Sequence, residues 1–208
     1  IHCVVLTPFS HGITKRMENE DLSIFDYVFC WLGNTNLILS IIKLIEDKMN
    51  LEHDIQEAGV QMILLVEDSI RFYSSILPNL YNYILEQSKN FSKEALNRHA
   101  ATMRMRGRPK VVLARTYEEA QKLYDKYSNN TLGVISDARF PLKSAAKAFG
   151  NKVETEAKPK HRTDTFGREK CPDAGLQLFR YIRKNDPFVP LILESSESDN
   201  RAKAEAEG

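Results

Sequence analysis

The chain has 208 residues, which is enough for one or two domains. Hydrophobic residues make up 42% and charged residues 27%, a globular composition that excludes a wholly disordered, collagen-like or coiled-coil chain. The net charge of +1 argues against a nucleic-acid or membrane partner. No apolar run approaches the roughly 18 residues of a membrane span, and three scattered cysteines favour a reducing cytosol. Because the chain begins at Ile1 rather than at a methionine, we expect it to be part of a longer protein.

The first fifty residues follow the order strand, loop, strand, helix. Short apolar runs predict buried strands at residues 2–8 and 26–31. Residues 36–49 carry one wide apolar stripe with charged residues opposite it, which predicts an amphipathic helix. The next ten residues are polar, and we interpret residues 51–60 as a linker.

The rest of the chain alternates between strands and helices. Apolar runs predict four strands, at residues 61–66, 110–114, 131–136 and 189–193. Helical patterns cover residues 69–87, 117–127, 173–184 and 198–207. Pro78 predicts a kink or restart in the first of these helices, and Asp173 is the expected N-cap of the third. This alternation predicts an α/β fold with a doubly wound parallel sheet and helices on both faces.

Two polar segments interrupt the pattern as insertions, at residues 89–108 and 142–172. The first contains a helical stretch over residues 89–101 and then a predicted helix breaker, MRMRGRP, at residues 103–109. In the second we predict a mobile excursion without regular structure over residues 142–170. The alternative is that this insertion docks next to Asp137 and gates it. Both are basic, and they include Arg108 and Lys170. We interpret these basic residues as solvated surface, because no aromatic side chains alternate with them as in many nucleic-acid interfaces.

Polar side chains follow the predicted strands at the points where the strands end. Glu67 and Asp68 follow the first strand of this part, Asp137 follows the third, and Ser195 comes shortly after the last. Functional groups in parallel sheets gather at this edge, so we expect the carboxylates to converge there with Ser195 opposite. Clustered carboxylates need a neutralising cation, and oxygen ligands with room for water suit Mg²⁺. The alternative for Glu67 and Asp68 is helix capping, with Asp68 preceding the helix that begins at residue 69.

Together these residues fit phosphoryl transfer to an aspartate. Asp137 is the expected nucleophile and Mg²⁺ the expected charge clamp. Ser195 is the hydroxyl expected to contact the transferred phosphoryl group.

Residues 61–208 resemble the receiver domain of response regulators. The matching pieces are LLVEDS at residues 64–69, ISDARFP at 135–141, DAGLQLFRYIR at 173–183 and PLILESS at 190–196. The resemblance implies a flavodoxin-like sheet of strand order 2-1-3-4-5, with Asp137 as phosphoacceptor and Ser195 as switch hydroxyl. It also implies that Mg²⁺ is held by Glu67, Asp68, Asp137 and the main-chain carbonyl of Arg139.

Residues 1–50 resemble the last two strands and the last helix of a second, degenerate receiver. Cys30 or Trp31 stands where receivers carry a lysine. Residues 61–208 stop before the fifth strand and helix of a receiver, so that lysine is absent from this part too. Such tandem receivers resemble the front end of large bacterial proteins with a phosphoenolpyruvate synthase-like or pyruvate-binding region.

The resemblance implies a cytoplasmic signalling module rather than an enzyme. Asp137 would take its phosphoryl group from a histidine kinase or a phosphotransfer protein and relay the change to neighbouring domains of a longer chain. A second copy of the chain is a further candidate partner. The alternative is a pseudo-receiver that acts only as an interaction or dimerisation module. A third interpretation, a haloacid-dehalogenase-like phosphatase, requires a second aspartate where Arg139 stands.

The predicted sheet has an open edge at the strand of residues 189–193. Because an unpaired apolar edge invites pairing, we expect the strands of the first fifty residues to join that edge and extend one parallel sheet. This pairing is expected within one chain or between two copies.

Overall fold

A computed structural model describes residues 2–8, 25–143 and 169–195 of the protein. The strands are β1 (Val4–Pro8), β2 (Tyr27–Trp31), β3 (Met62–Val66), β4 (Lys110–Ala114), β5 (Thr131–Asp137), β6 (Phe140–Pro141), β7 (Lys170–Cys171) and β8 (Leu191–Glu194). The helices are α1 (Asn36–Ala58), α2 (Ile70–Lys93), α3 (Arg98–Arg106), α4 (Tyr117–Tyr127) and α5 (Ala174–Asn185). The helix predicted at residues 198–207 lies outside the described residues.

The central sheet is parallel and has the order β4-β3-β5-β8. Helices α2 and α3 connect β3 to β4, α4 leads toward β5, and α5 precedes β8. The predicted α/β class with a parallel sheet is therefore confirmed. No helix in the described part of the chain has both the length and the apolar character that crossing a bilayer requires.

Alternate side chains of the sheet enter two separate cores. On β3, Leu65 packs into the core that also holds Tyr73 and Leu77 of α2. Leu64 and Val66 face the opposite side, where they join buried residues of α4 and α5. Because successive side chains of a strand point to opposite faces, a strand covered on both sides must be almost wholly apolar, as MILLV is.

The first two strands form a small parallel sheet of their own. Strand β2 packs on α2, with the Phe29 ring edge-on to Tyr73 at 5.4 Å between centroids. The backbone N–H of Cys30 donates to Ser74 Oγ at 2.9 Å, and the Tyr73 hydroxyl donates to the Val28 carbonyl. β2 therefore buries its side chains against a helix rather than extending the central sheet.

The expectation that the first-half strands join the β8 edge of the same chain is wrong. Among the described residues, β8 pairs with β5 alone, and its Ile192 side chain is 58% exposed. Strand β2 packs instead against the buried Tyr73, Leu77 and Tyr81 of α2 in the first core. Pairing between two copies of the chain stays a prediction.

Helix α1 continues to Ala58, so the interpretation of residues 51–60 as a linker is wrong. The polar stretch carries Leu51 and Ile55 one helical turn apart, and both pack into the second core. The helix ends at Gly59, whose φ of 60° is the left-handed conformation that glycine adopts readily. Its N–H donates to the Ile55 carbonyl at 3.0 Å.

A buried ionic cluster attaches α1 to β4, the other edge of the sheet. Asp47 is fully buried and accepts hydrogen bonds from Arg108 Nη2 at 2.6 Å, Tyr81 Oη at 2.9 Å and the Val111 N–H at 3.0 Å. Lys110 Nζ lies 2.6 Å from Asp54 Oδ2. The interpretation of Arg108 as solvated is therefore wrong, because Asp47 pairs with its charge inside the fold.

Two helix predictions also need correction. Helix α2 runs unbroken through Pro78, which is buried in its packed face, so tertiary contacts support both flanking turns. Helix α3 extends to Arg106, through most of the segment predicted to break it, and Gly107 follows as its C-cap.

A two-residue antiparallel pair closes the second insertion. Phe140 of β6 pairs with Cys171 of β7, and Pro141 pairs with Lys170. The prediction of an unstructured excursion is therefore wrong at Lys170. Its central part, residues 144–168, lies outside the described residues.

Candidate functional site

The carboxylates of Glu67, Asp68 and Asp137 lie together at the carboxyl edge of the sheet. One oxygen from each falls within 4.8 Å of the others. These carboxylates meet because of the register of β3 and β5, in which Val66 is the partner of Ser136. Both strands therefore end at the same level of the sheet. Their role as metal ligands stays a prediction.

Glu67 is buried, and its side chain turns back onto the start of α2. Its Oε1 accepts a hydrogen bond from the Ser69 N–H at 2.9 Å. Burial raises the pKa of Glu67 to about 9, and the nearby Asp137 charge adds to the rise. In the absence of a bound metal ion, Glu67 therefore holds a proton at neutral pH.

Asp68 is fully buried, and Lys170 Nζ lies 2.7 Å from its Oδ2. The N-cap of α2 is Ser69, so the alternative in which Asp68 caps this helix is not the arrangement observed. Sequence reasoning missed Lys170 as a member of the site. A two-residue strand has no detectable periodicity, and nothing else distinguishes this lysine from the other basic residues of the insertion.

Asp137 is less buried than the other two carboxylates. Its Oδ1 accepts a hydrogen bond from the Ala138 N–H at 2.7 Å. Burial is the main cause that raises its pKa, whereas Lys170 and the N–H groups of Ala138 and Arg139 act to lower it. Glu194, its register partner on β8, raises it further and is a second neighbour that the sequence analysis did not include.

Arg139 and Ser195 flank this cluster. The backbone N–H of Arg139 contributes to binding the Asp137 carboxylate, and the use of its carbonyl as a metal ligand stays a prediction. Ser195 is exposed and directly follows Glu194, so it lies just beyond the level of Asp137 on the neighbouring strand. Its role as a switch hydroxyl also stays a prediction.

Helix α5 begins against the backbone of the site. The Gly175 N–H donates to the Ala138 carbonyl at 3.1 Å. A Cβ at Gly175 would lie 2.4 Å from the Asp137 carbonyl oxygen, so only glycine permits this approach. Asp173 precedes the helix as predicted, but its side chain makes no capping hydrogen bond.

The donor set of the cluster suits a hard divalent cation. All three side chains offer oxygen atoms, which Mg²⁺ and Ca²⁺ prefer to nitrogen or sulfur. A bound cation would offset the burial and the repulsion by Asp137 that together keep Glu67 protonated. Asp137 is the most accessible of the three carboxylates to a reactant from solvent.

Comparisons with protein-family models, with curated proteins and with solved structures found no significant match. An interpretation of function therefore depends on the geometry of the carboxylate cluster and on the motifs that surround it.

Proposed function

We propose that the chain contains a phosphoacceptor receiver domain of a two-component signalling system, with Asp137 as the phosphorylated residue. The observation that carries the proposal is the cluster of Glu67, Asp68 and Asp137 at the carboxyl edge of two neighbouring parallel strands. The strand order β4-β3-β5-β8 supports it, because it matches the receiver order 2-1-3-4 without the fifth strand.

In the proposed reaction a carboxylate oxygen of Asp137 attacks the phosphorus of a phosphohistidine. A new O–P bond forms as the P–N bond breaks, and the imidazole leaves with the electron pair and takes up a proton. Mg²⁺, when bound by Glu67, Asp68, Asp137 and the Arg139 carbonyl, supplies positive charge that offsets the negative charge of the transferred group.

The chain's own groups orient the nucleophile. The N–H groups of Ala138 and Arg139 hold the Asp137 carboxylate in place. Ser195 donates a hydrogen bond to a phosphoryl oxygen in the product, and this contact moves the end of β8. The donor of the phosphoryl group is a histidine kinase or phosphotransfer protein. The conformational change at β8 passes to neighbouring domains or to a second copy of the chain.

The test is incubation with acetyl phosphate and Mg²⁺, followed by intact mass measurement. We expect the wild-type protein to gain one phosphoryl group and Asp137→Asn to gain none. Asp125→Asn is the matched control, because Asp125 is an exposed aspartate of α4 and is not part of the carboxylate cluster. Uptake by Asp137→Asn equal to that of the wild type would contradict the assignment.

The second candidate function is a pseudo-receiver that serves only as an interaction module. The ion pair between Lys170 and Asp68 favours it, because that pair already neutralises one carboxylate without a metal. Absence of both Mg²⁺ binding and phosphoryl uptake in the wild-type protein would select this function.

A further inference from the structure

Lys170 reaches the carboxylate cluster by way of the β6–β7 pair. Its partner in that pair is Pro141, four residues after Asp137. The neighbouring Phe140 is fully buried in the second core, so the pair is anchored to the body of the domain. The position of the ammonium group therefore follows from packing and not only from its attraction to the carboxylates.

The ammonium group lies among three carboxylates from the ends of two strands, β3 and β5. Its Nζ is 2.7 Å from Asp68 Oδ2, and the Lys170 side chain is only 18% exposed. Its charge also acts on Glu67 and on Asp137, since it lowers the pKa of both groups. Water screens such a partly buried charge less than a surface charge, so its effect on the cluster is substantial.

We propose that Lys170 is the resident cation of this site and a positioning residue that competes with the divalent cation for Asp68. This inference rests on the proposed function, because it assumes that Glu67, Asp68 and Asp137 are the metal ligands. Its consequence is that the metal affinity of the domain is set by a lysine of the insertion.

Competition follows from the distances. A Mg²⁺ ion bound to Asp68 would lie about 2.1 Å from a carboxylate oxygen, and the ammonium group lies 2.7 Å from Oδ2 of the same carboxylate. Two cations on one carboxylate repel each other, so binding of the ion weakens the attraction between Asp68 and the ammonium group. Removing the lysine charge therefore strengthens metal binding, although it leaves a buried carboxylate unpaired in the metal-free protein.

The experiment is a Mg²⁺ titration by calorimetry of wild type, Lys170→Met, Lys170→Arg and Lys122→Met. We expect Lys170→Met to bind Mg²⁺ about tenfold more tightly than wild type, because one nearby positive charge is gone. Lys170→Arg keeps the charge and should bind near the wild-type level. Lys122, an exposed lysine of α4, is the matched control and should have no effect. Affinity of Lys170→Met equal to or weaker than wild type would overturn the inference.

A second measurement uses the wild-type protein and does not depend on whether Lys170→Met folds. Amine acetylation, followed by peptide mass mapping, should modify Lys170 faster with Mg²⁺ than with chelator, whereas modification of Lys122 should not change. An unchanged rate at Lys170 would overturn the inference.

The two proposals fail separately. Phosphoryl uptake by wild type, with an unchanged Mg²⁺ affinity in Lys170→Met, overturns the role of Lys170 alone. A tenfold gain in Mg²⁺ affinity without phosphoryl uptake by wild type overturns the phosphoacceptor function alone. Absence of Mg²⁺ binding in every variant overturns both.

Discussion

At the scale of single residues, the main feature of the site is its excess of buried negative charge. Glu67 and Asp68 are both almost inaccessible to water, Asp137 lies close to them, and Glu194 lies beside Asp137. The ammonium group of Lys170 forms an ion pair with one member of this cluster, Asp68. Because burial without enough cations disfavours ionisation, Glu67 keeps its proton.

This protonation predicts a pH-dependent stability in the metal-free protein. The pKa of Glu67 is 4.5 in its ordinary state and about 9 in the fold. Between these values the unfolded chain loses the proton and the folded protein keeps it, so its contribution to stability falls as pH rises. The full contribution is present below pH 4.5 and is lost as pH rises through about 9.

The measurement is urea unfolding in chelator at several pH values for wild type and Glu67→Gln. We expect the unfolding free energy of wild type to decline with rising pH more steeply than that of Glu67→Gln, whose amide does not titrate. Parallel pH dependences for the two proteins would show that Glu67 does not carry the proton.

At the scale of elements, the attachment of α1 to the edge strand β4 is the least expected feature. Asp47 receives donors from β4, from α2 and from the loop before β4. Its acceptance of the Val111 N–H also occupies an edge-strand donor that would otherwise invite pairing with another chain. The same interaction therefore holds the helix and protects the sheet edge.

Asp47→Ala should destabilise the protein by about 3–5 kcal/mol, because it leaves the buried Arg108 charge without its partner. The matched control is Glu52→Ala on the same helix, which removes an exposed pair with Lys126. That control should cost less than about 1 kcal/mol. Urea unfolding measures both values, and similar losses for the two variants would refute a structural role of the buried cluster.

The sequence was informative where local patterns decide the structure. The strands β3, β4 and β5 are apolar enough to be predicted within a residue or two, and the convergence of the carboxylates at the ends of β3 and β5 follows from that topology. Tertiary contacts decided the rest. The continuation of α1 depends on Leu51 and Ile55 among polar neighbours, and Lys170 reaches Asp68 only after the chain has returned from the insertion.

At the scale of the whole molecule, strand β2 and helix α1 share one core with the central sheet. Phe29 and Cys30 of β2 are buried with Tyr73 and Leu77 of α2. Helix α1 then packs along β4 and contributes Leu51 to the opposite core. A segment that resembles part of another domain is therefore packed as part of this one.

Shared packing predicts a single cooperative unfolding transition. The one tryptophan, Trp31, ends β2 and reports on the first fifty residues. Its fluorescence should change at the same urea concentration as far-ultraviolet circular dichroism, which reports on all helices. An earlier transition of Trp31 would mean that β1 and β2 unfold as an independent unit.

Chemical trapping of the phosphorylated residue tests the assignment of Asp137 as phosphoacceptor. After incubation with acetyl phosphate and Mg²⁺, borohydride reduces a phosphorylated aspartate to homoserine, which peptide mass mapping locates. We expect homoserine at position 137 and unmodified Glu67 and Asp68. Homoserine at another aspartate, or at no position, would contradict it.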